Sequence, residues 1–94
     1  MYDLSQVLAL VKQRLDRLPG DTRLDGYLSS RIRGAAEELE KAGIRLDGGL
    51  ADTMLLTDYT VWQYQNRDNP NAQPLWLRDA IRKRWVQQRG GGAK

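Results

Sequence analysis

Residues 50–68 read LADTMLLTDYTVWQYQNRD, and this stretch decides the fold. Its apolar side chains spread around most of a helical wheel instead of forming one stripe; they are Met54, Leu55, Leu56, Tyr59, Val61, Trp62 and Tyr64. A helix that is apolar on several sides has to be covered on several sides. We therefore expect a central helix over residues 50–68, with Tyr59 and Trp62 packed in the core and the other segments arranged around it.

The segment before residue 20 has the pattern of a covering helix. Its apolar residues recur every three or four positions, at Leu4, Val7, Leu8, Val11, Leu15 and Leu18. Asp3 is placed to cap this helix, and Pro19-Gly20 is the expected stop. On this wheel Lys12 falls on the solvent side.

A second covering helix is expected to begin at Thr22, whose hydroxyl can act as the N-cap. Its buried stripe consists of Leu24, Leu28, Ile32, Ala35, Leu39 and Ala42. Gly26 and Gly34 each cost about 1 kcal/mol inside a helix relative to alanine, and close contact with another helix would explain them. With Gly43 in the left-handed region after the helix, Leu39 and Ile44 form the hydrophobic pair of a Schellman motif.

A final helix is expected after residue 69. The central helix stops before Asn69-Pro70, because the residue before a proline is pushed out of the helical region. Pro74 suits the first position of the next helix, in which Leu77, Ile81 and Trp85 share one face. The chain is thus predicted to be all-α, a bundle of about four helices in one domain over residues 1–89, followed by a flexible glycine-rich tail over 90–94.

Composition narrows the possible functions. The 94 residues include no cysteine and no histidine, so disulfides, thiolate–metal sites and the commonest general base are excluded. We expect no enzyme activity, no cofactor and no metal. No apolar run approaches the roughly 20 residues that span a bilayer, and the N-terminus lacks a basic leader. A protein made in the cytosol, with no membrane partner, is expected.

The positive charge lies at the C-terminal end. Residues 78–94 contain six basic side chains and one acidic one, whereas residues 1–77 contain nine basic and eleven acidic ones. A basic helix that also carries Trp76 and Trp85 can contact phosphates or an acidic protein surface. Cations near a helix C-terminus also favour the helix dipole without any ligand. Both interpretations stay open on the residues alone.

The remaining polar motifs do not indicate catalysis. Asp52 and Asp58 are six residues apart and point in different directions on a helix, so a structural role is favoured, with Asp58 bonded to a tyrosine or an arginine or in contact with another subunit. Gly48-Gly49 lacks the Gly-Lys-Ser/Thr of a phosphate loop, and Ser29-Ser30 has no partner base. At the end of the central helix, we interpret Asp68 as a turn lock and Arg67 as an interface residue.

The order of these motifs over residues 4–88 resembles the gp6-like head–tail connector (adaptor) family of long-tailed bacteriophages. The resemblance rests on Leu10-Val11-Lys12-Gln13-Arg14-Leu15, Asp25, Ala35-Ala36-Glu37-Glu38-Leu39 with Gly43-Ile44, the run from Asp58 to Asp68, and Trp76-Leu77-Arg78. It implies a small α-helical protein that forms a ring beneath the portal at the capsid vertex. Such a ring extends the DNA channel without sequence-specific contact and docks a head-closure (stopper) or tail protein.

The resemblance leads to one expected function and one rival. We expect a structural connector of the virion neck, assembled in the host cytoplasm, whose partners are itself and the portal. Its expected interface residues are Arg67, Trp76, Arg78, Arg82, Lys83, Arg84 and Arg89, and its structural ones are Gly43, Tyr59, Trp62, Asp68 and Pro74. The rival is a small nucleic-acid-binding module that uses the basic C-terminal helix.

Overall fold

Four helices account for most of the chain. The computed structural model describes residues 1–69 and 73–92, with helices α1 (Leu4–Arg14), α2 (Asp25–Lys41), α3 (Leu50–Gln65) and α4 (Leu75–Gly92). No strand occurs in this part of the chain, and none of its helices is long and apolar enough to cross a membrane. Helices α1, α2 and α3 pack against one another, and α4 packs on α3. The predicted all-α bundle of four helices is confirmed.

Helix α3 is the central helix, as predicted, and its neighbours cover it on several sides. Its buried residues are Asp52, Thr53, Leu55, Leu56, Thr57, Thr60, Val61 and Trp62. Three of these buried residues are threonines, which are not counted when only the apolar residues are placed on a helical wheel. The Thr57 hydroxyl donates to the Thr53 carbonyl at 2.8 Å, and the Thr60 hydroxyl donates to the Leu56 carbonyl at 2.7 Å. These internal bonds satisfy the hydroxyls of Thr57 and Thr60, so their helix face can be buried. Met54, expected in the covered part of the wheel, is 42% exposed.

Helix α1 starts as predicted but ends early. The Asp3 side chain accepts a hydrogen bond from the Gln6 N–H at 3.2 Å, which confirms the cap. Its last helical residue is Arg14, because Asp16 takes a positive φ of 58°. The Arg17 N–H donates to the Lys12 carbonyl and the Asp16 N–H to the Gln13 carbonyl, which is a Schellman ending with aspartate in the glycine position. The expected stop at Pro19-Gly20 was therefore wrong, and Leu18 lies outside the helix, 75% exposed.

Lys12 is buried, which corrects its predicted place on the solvent side. The chain after α1 folds back over it, leaving 5% of the residue exposed. Its ammonium group donates to the Pro19 carbonyl at 3.0 Å and lies 3.0 Å from Asp25 Oδ1. Lys12 thus ties the α1–α2 connection to the first turn of α2, a role that depends on the path of the loop and not on helical periodicity.

Substituting Lys12 should measure how much its contacts with Pro19 and Asp25 contribute to the free energy of unfolding. We expect Lys12→Met to lower the free energy of unfolding by about 1–2 kcal/mol, because the Pro19 carbonyl loses its donor and Asp25 loses its counter-charge. Urea denaturation would measure the change. Lys41→Met is the matched control: the Lys41 side chain is 70% exposed, and an exposed ion pair contributes at most about 1 kcal/mol. Equal losses in the two variants would show that Lys12 is not a structural tie.

Helix α2 begins three residues later than predicted. Its N-cap is Leu24, without a side-chain cap bond, so the expected Thr22 cap was wrong. The preceding turn is organised by Asp21, whose carboxylate accepts from the N–H and the guanidinium of Arg23. Those bonds hold the pKa of Asp21 well below its usual range. Because Asp21 already directs this turn, the helix starts only at Asp25.

The end of α2 is the predicted Schellman motif. Gly43 has φ 94°, the Ile44 N–H donates to the Leu39 carbonyl, and the Gly43 N–H donates to the Glu40 carbonyl, each at 3.0 Å.

The close helix contact expected at Gly26 and Gly34 is not made within the described residues. A Cβ added at either glycine would meet no atom within 4 Å.

Candidate assembly interface

Helix α4 carries six of the seven predicted interface residues, and only one of its faces touches the bundle. Leu77 is fully buried, and Ala80 and Ile81 pack against the core. On other sides of the helix, Leu75, Trp76 and Val86 are 69%, 53% and 50% exposed. Leu18 and Leu50, in other parts of the chain, are exposed to a similar degree, so what distinguishes α4 is that several exposed apolar side chains lie on one helix, an arrangement typical of an interaction surface.

The start of α4 differs from the prediction by one residue. The Pro74 carbonyl accepts from the N–H groups of Leu77 and Arg78, each at 3.1 Å. Pro74 therefore precedes the first helical residue, Leu75, instead of occupying that position. Its structural role at the helix entry is retained, since its fixed φ still directs the chain into the helix. The predicted end of the central helix, at residue 68 before Asn69-Pro70, was wrong by three residues: α3 ends at Gln65 and residues 66–68 form a turn, while Pro70 itself lies outside the described residues.

Arg84, expected at an interface, is bound inside the chain. Its guanidinium donates from Nε to Asp52 Oδ1 at 2.6 Å and from Nη2 to Asp52 Oδ2 at 3.1 Å. Asp52 is fully buried in the first turn of α3 and also accepts from the Asp47 N–H at 3.1 Å. Hydrogen bonding to Asp52 raises the pKa of Arg84. This bidentate pair holds α4 against α3, so an interface role for Arg84 stays a prediction that competes with an observed internal role.

The two carboxylates of α3 thus both have guanidinium partners; an arginine was one of the partners predicted for Asp58, whereas no partner was predicted for Asp52. Asp58 pairs with Arg14 of α1, and Asp52 pairs with Arg84. Each pair joins α3 to a different neighbouring helix, so the two carboxylates serve packing on different sides of α3.

A second attachment of α4 was missed by sequence reasoning. The Gln88 side chain accepts from the Arg45 N–H at 3.0 Å and donates to the Arg45 carbonyl at 2.7 Å. The amide of Gln88 therefore pairs with the backbone of the α2–α3 connection much as a neighbouring strand would. One signal was available: Gln88 lies seven residues after the buried-face residue Ile81, and so on the same side of the helix.

The third attachment joins Trp85 and Arg89 to the end of α2. The Arg89 guanidinium stacks on the Trp85 ring, 4.3 Å from its centroid. Both side chains lie over Gly43: a Cβ there would come within 2.8 Å of Trp85 Nε1 and 3.0 Å of Arg89 Nη2. Gly43 is thus required for the close approach of α4 as well as for the turn. Arg89 thus contacts Trp85 within the chain. This internal contact does not test the interface role predicted for Arg89.

What remains free to meet a partner is the α4 outer surface, which consists of Leu75, Trp76, Arg78, Arg82, Lys83 and Val86. All six residues are exposed. Asp79, also exposed, is the acidic residue on this helix, so the surface is apolar with a net positive rim. The three internal attachments hold the helix in place and present this surface in a defined orientation.

Asn66 and Arg67 close the turn after α3. Of the two, only Arg67 was singled out from the sequence, as an interface residue. The Asn66 side chain donates to the Trp62 carbonyl at 3.0 Å, and Arg67 Nη1 donates to the Tyr64 carbonyl at 2.6 Å. The Arg67 guanidinium also lies 4.6 Å from the Tyr64 ring centroid. Asp68, the predicted lock, is exposed in this turn, and its role stays a prediction. The missed residue is Asn66.

A polar cleft of about 430 Å³ lies between α2 and α3. It is lined by Arg31, Glu38, Tyr59, Trp62, Gln63, Asn66, Arg67 and Gln73. Trp62 is buried in the core, as predicted, and stacks on Tyr59 with ring centroids 6.2 Å apart. Tyr59 is only half-buried: it packs against the core but also lines the cleft. Burial, with a smaller contribution from the charge of Glu38, raises the pKa of Tyr59.

Comparison with known proteins adds no relative. Models of known protein families, curated proteins and solved structures gave no match. Within residues 1–69 and 73–92, no group of three or more acidic side chains is arranged to hold a metal ion. The function therefore has to be inferred from the surfaces of the chain itself.

Proposed function

We propose that this protein is a structural assembly protein of a bacteriophage virion, a head–tail connector that forms a ring beneath the portal. The observation that carries the proposal is the α4 outer surface, where exposed Leu75 and Trp76 lie beside Arg78, Arg82 and Lys83. Exposed apolar side chains rimmed by charged ones mark protein interfaces. Tryptophan and arginine are also the residues that most often dominate binding energy at such interfaces.

The opposite charges on α2 supply a complementary surface. Glu37, Glu38 and Glu40 are exposed on that helix, whereas α4 presents its basic residues elsewhere on the molecule. A ring requires a head-to-tail interface that joins two different surfaces of the same chain and closes. Opposite charges on those surfaces favour one orientation of neighbouring copies. The charges can act between neighbouring copies or with the portal, and of the two we assign the basic surface of α4 to the portal contact, before a stopper or tail protein docks.

Point variants of the α4 outer surface test this role. Removing α4 entirely would expose the core around Leu77, so loss of assembly in a truncated chain would be ambiguous. We expect Leu75→Ser combined with Trp76→Ser to reduce completion of portal-bearing heads about a hundredfold, since two central contacts of about 1–2 kcal/mol each are removed. Complementation of connector-deficient heads and light scattering with portal present would measure the loss.

The matched control is Leu18→Ser, because Leu18 is equally apolar and 75% exposed but lies in the α1–α2 connection. It should complete heads as well as the unmodified chain does. Normal completion by the Leu75/Trp76 double variant, with normal helicity, would contradict the proposal. So would equal loss in the Leu18 control.

One observation favours a second function, the binding of duplex DNA. Arg78, Arg82 and Lys83 are all exposed on one helix, and three phosphate contacts would give a slope of about −2.7 in log affinity against log salt. DNA binding with that slope, lost in Arg82→Gln with Lys83→Gln, together with normal head completion by the same variant, would replace the connector assignment.

A further inference from the structure

We infer that the cleft between α2 and α3 binds carboxylate side chains of an acidic segment of another protein. At about 430 Å³, the cleft falls within the range of ligand sites, roughly 300–1,000 Å³. It lies on different elements from the α4 outer surface. The inference does not depend on the connector role, because the isolated chain is sufficient to test it.

Two arginines of the cleft are held by tyrosines in a matching way. Arg31 donates from Nε to the Tyr27 hydroxyl at 2.9 Å, and its guanidinium carbon lies 5.4 Å from that ring's centroid. Arg67 lies over Tyr64 and donates to its carbonyl. The two tyrosine rings contact each other edge to face, with centroids 6.1 Å apart. The result is a connected row, Arg31–Tyr27–Tyr64–Arg67.

This row prepares both guanidiniums for a carboxylate. Each of the hydrogen bonds described uses one N–H of a group that has five, so further donors remain on both side chains. Stacking on a ring restricts the guanidinium before a ligand arrives, which reduces the conformational entropy lost on binding. A planar guanidinium binds a carboxylate through two parallel N–H···O bonds, which a lysine cannot do.

The other lining groups favour a protein segment over a phosphate. Glu38 adds a negative charge at the cleft, only partly offset by Lys41 Nζ at 3.8 Å from its carboxylate. A phosphate concentrates a charge near −2 at one point beside Glu38, whereas a peptide segment spreads its carboxylates along its length. Gln63 and Gln73 contribute side-chain amides, which can both donate to and accept from peptide groups. Tyr59 and Trp62 add a flat apolar surface beside them.

Nuclear magnetic resonance titration of the full chain with a hexaglutamate peptide tests the inference. We expect saturable shifts of the Nε–H signals of Arg31 and Arg67 and of the Gln63 side-chain amide. Arg31→Gln combined with Arg67→Gln should weaken binding about tenfold or more, because two charge-assisted bidentate contacts are lost. Arg67→Lys should also weaken binding although the charge is kept, since the planar fork is lost.

The control variant is Arg33→Gln combined with Lys83→Gln, which removes the same charge from exposed residues that do not line the cleft and should leave the affinity nearly unchanged. Equal weakening in the two double variants would overturn the inference, because only net charge would then matter. It would also be overturned if inorganic phosphate or a short DNA duplex, at equal negative charge, shifted the same signals at lower concentration. Self-association lost only in the Arg31/Arg67 variant would overturn it in favour of a second copy as the occupant.

Discussion

Replacing Asp52 with alanine is expected to lower the free energy of unfolding by about 3 kcal/mol or more. Asp52 is fully buried, and the side chain of its partner Arg84 is only 22% exposed. The alanine variant leaves the Arg84 charge without its bidentate partner and the Asp47 N–H without an acceptor. Breaking one half of a buried pair costs more than the net contribution of the pair. Urea denaturation followed by circular dichroism would measure the loss.

A double variant separates this effect from a general loss of packing. Asp52→Leu combined with Arg84→Met removes both charges, and it should recover most of the stability lost in the single variant. Asp58→Ala is the matched control, since its pair with Arg14 is more exposed and should contribute at most about 1 kcal/mol. If Asp52→Ala were no more harmful than Asp58→Ala, the Asp52–Arg84 pair would not be what holds α4 to α3.

Gly43→Val is expected to destabilise the protein by about 3 kcal/mol. The left-handed backbone at φ 94° costs a residue with a side chain about 1–2 kcal/mol. The added Cβ would also stand 2.8 Å from Trp85 Nε1, and such crowding adds a further 1–3 kcal/mol or so. We expect the Trp85 fluorescence to move toward that of a solvent-exposed indole, because the ring must leave the end of α2.

Gly34→Ala provides the comparison, because Gly34 is a helical glycine with open space around its Cα. This substitution should raise stability by about 0.5–1 kcal/mol, since alanine loses less backbone entropy in a helix. Denaturation of both variants under the same conditions would compare the two sites. A stable Gly43 variant with unchanged Trp85 emission would show that the contact with α4 does not depend on glycine.

Asp52→Ala and Gly43→Val both test whether the internal attachments of α4 hold the α4 outer surface in place. Arg84 holds the middle of α4, and the Trp85–Arg89 stack and Gln88 hold its C-terminal half. With that half attached, Trp76 and Val86 face outward in a fixed arrangement, which lowers the entropy lost when a partner binds. Variants that release α4 should therefore also weaken assembly, even though Asp52 and Gly43 belong to the interior.

The helical patterns in the sequence were sufficient for the backbone framework of this protein. The spread of apolar residues over 50–68 predicted the central helix, and local capping chemistry located both the Asp3 cap and the Gly43 turn. Such features depend on residues within one or two turns, so they can be recognised from the chain alone. The same reasoning failed at two positions. At Asp16, an aspartate occupies the left-handed position that glycine usually takes. Near Thr22, the side chain of Asp21 organises the turn instead of a Thr22 cap.

By itself, then, the sequence determined the fold class, the number of helices and most of the apolar residues through which α1 and α2 face the core. Only the tertiary structure decided which charged side chains remain available to a partner. Arg84 and Lys12 look as solvated as Arg82 and Lys83 in the sequence, yet each is paired with a carboxylate from another segment. Those pairings join residues 13 and 32 positions apart. They depend on how loops and helices meet in space, which local periodicity does not encode.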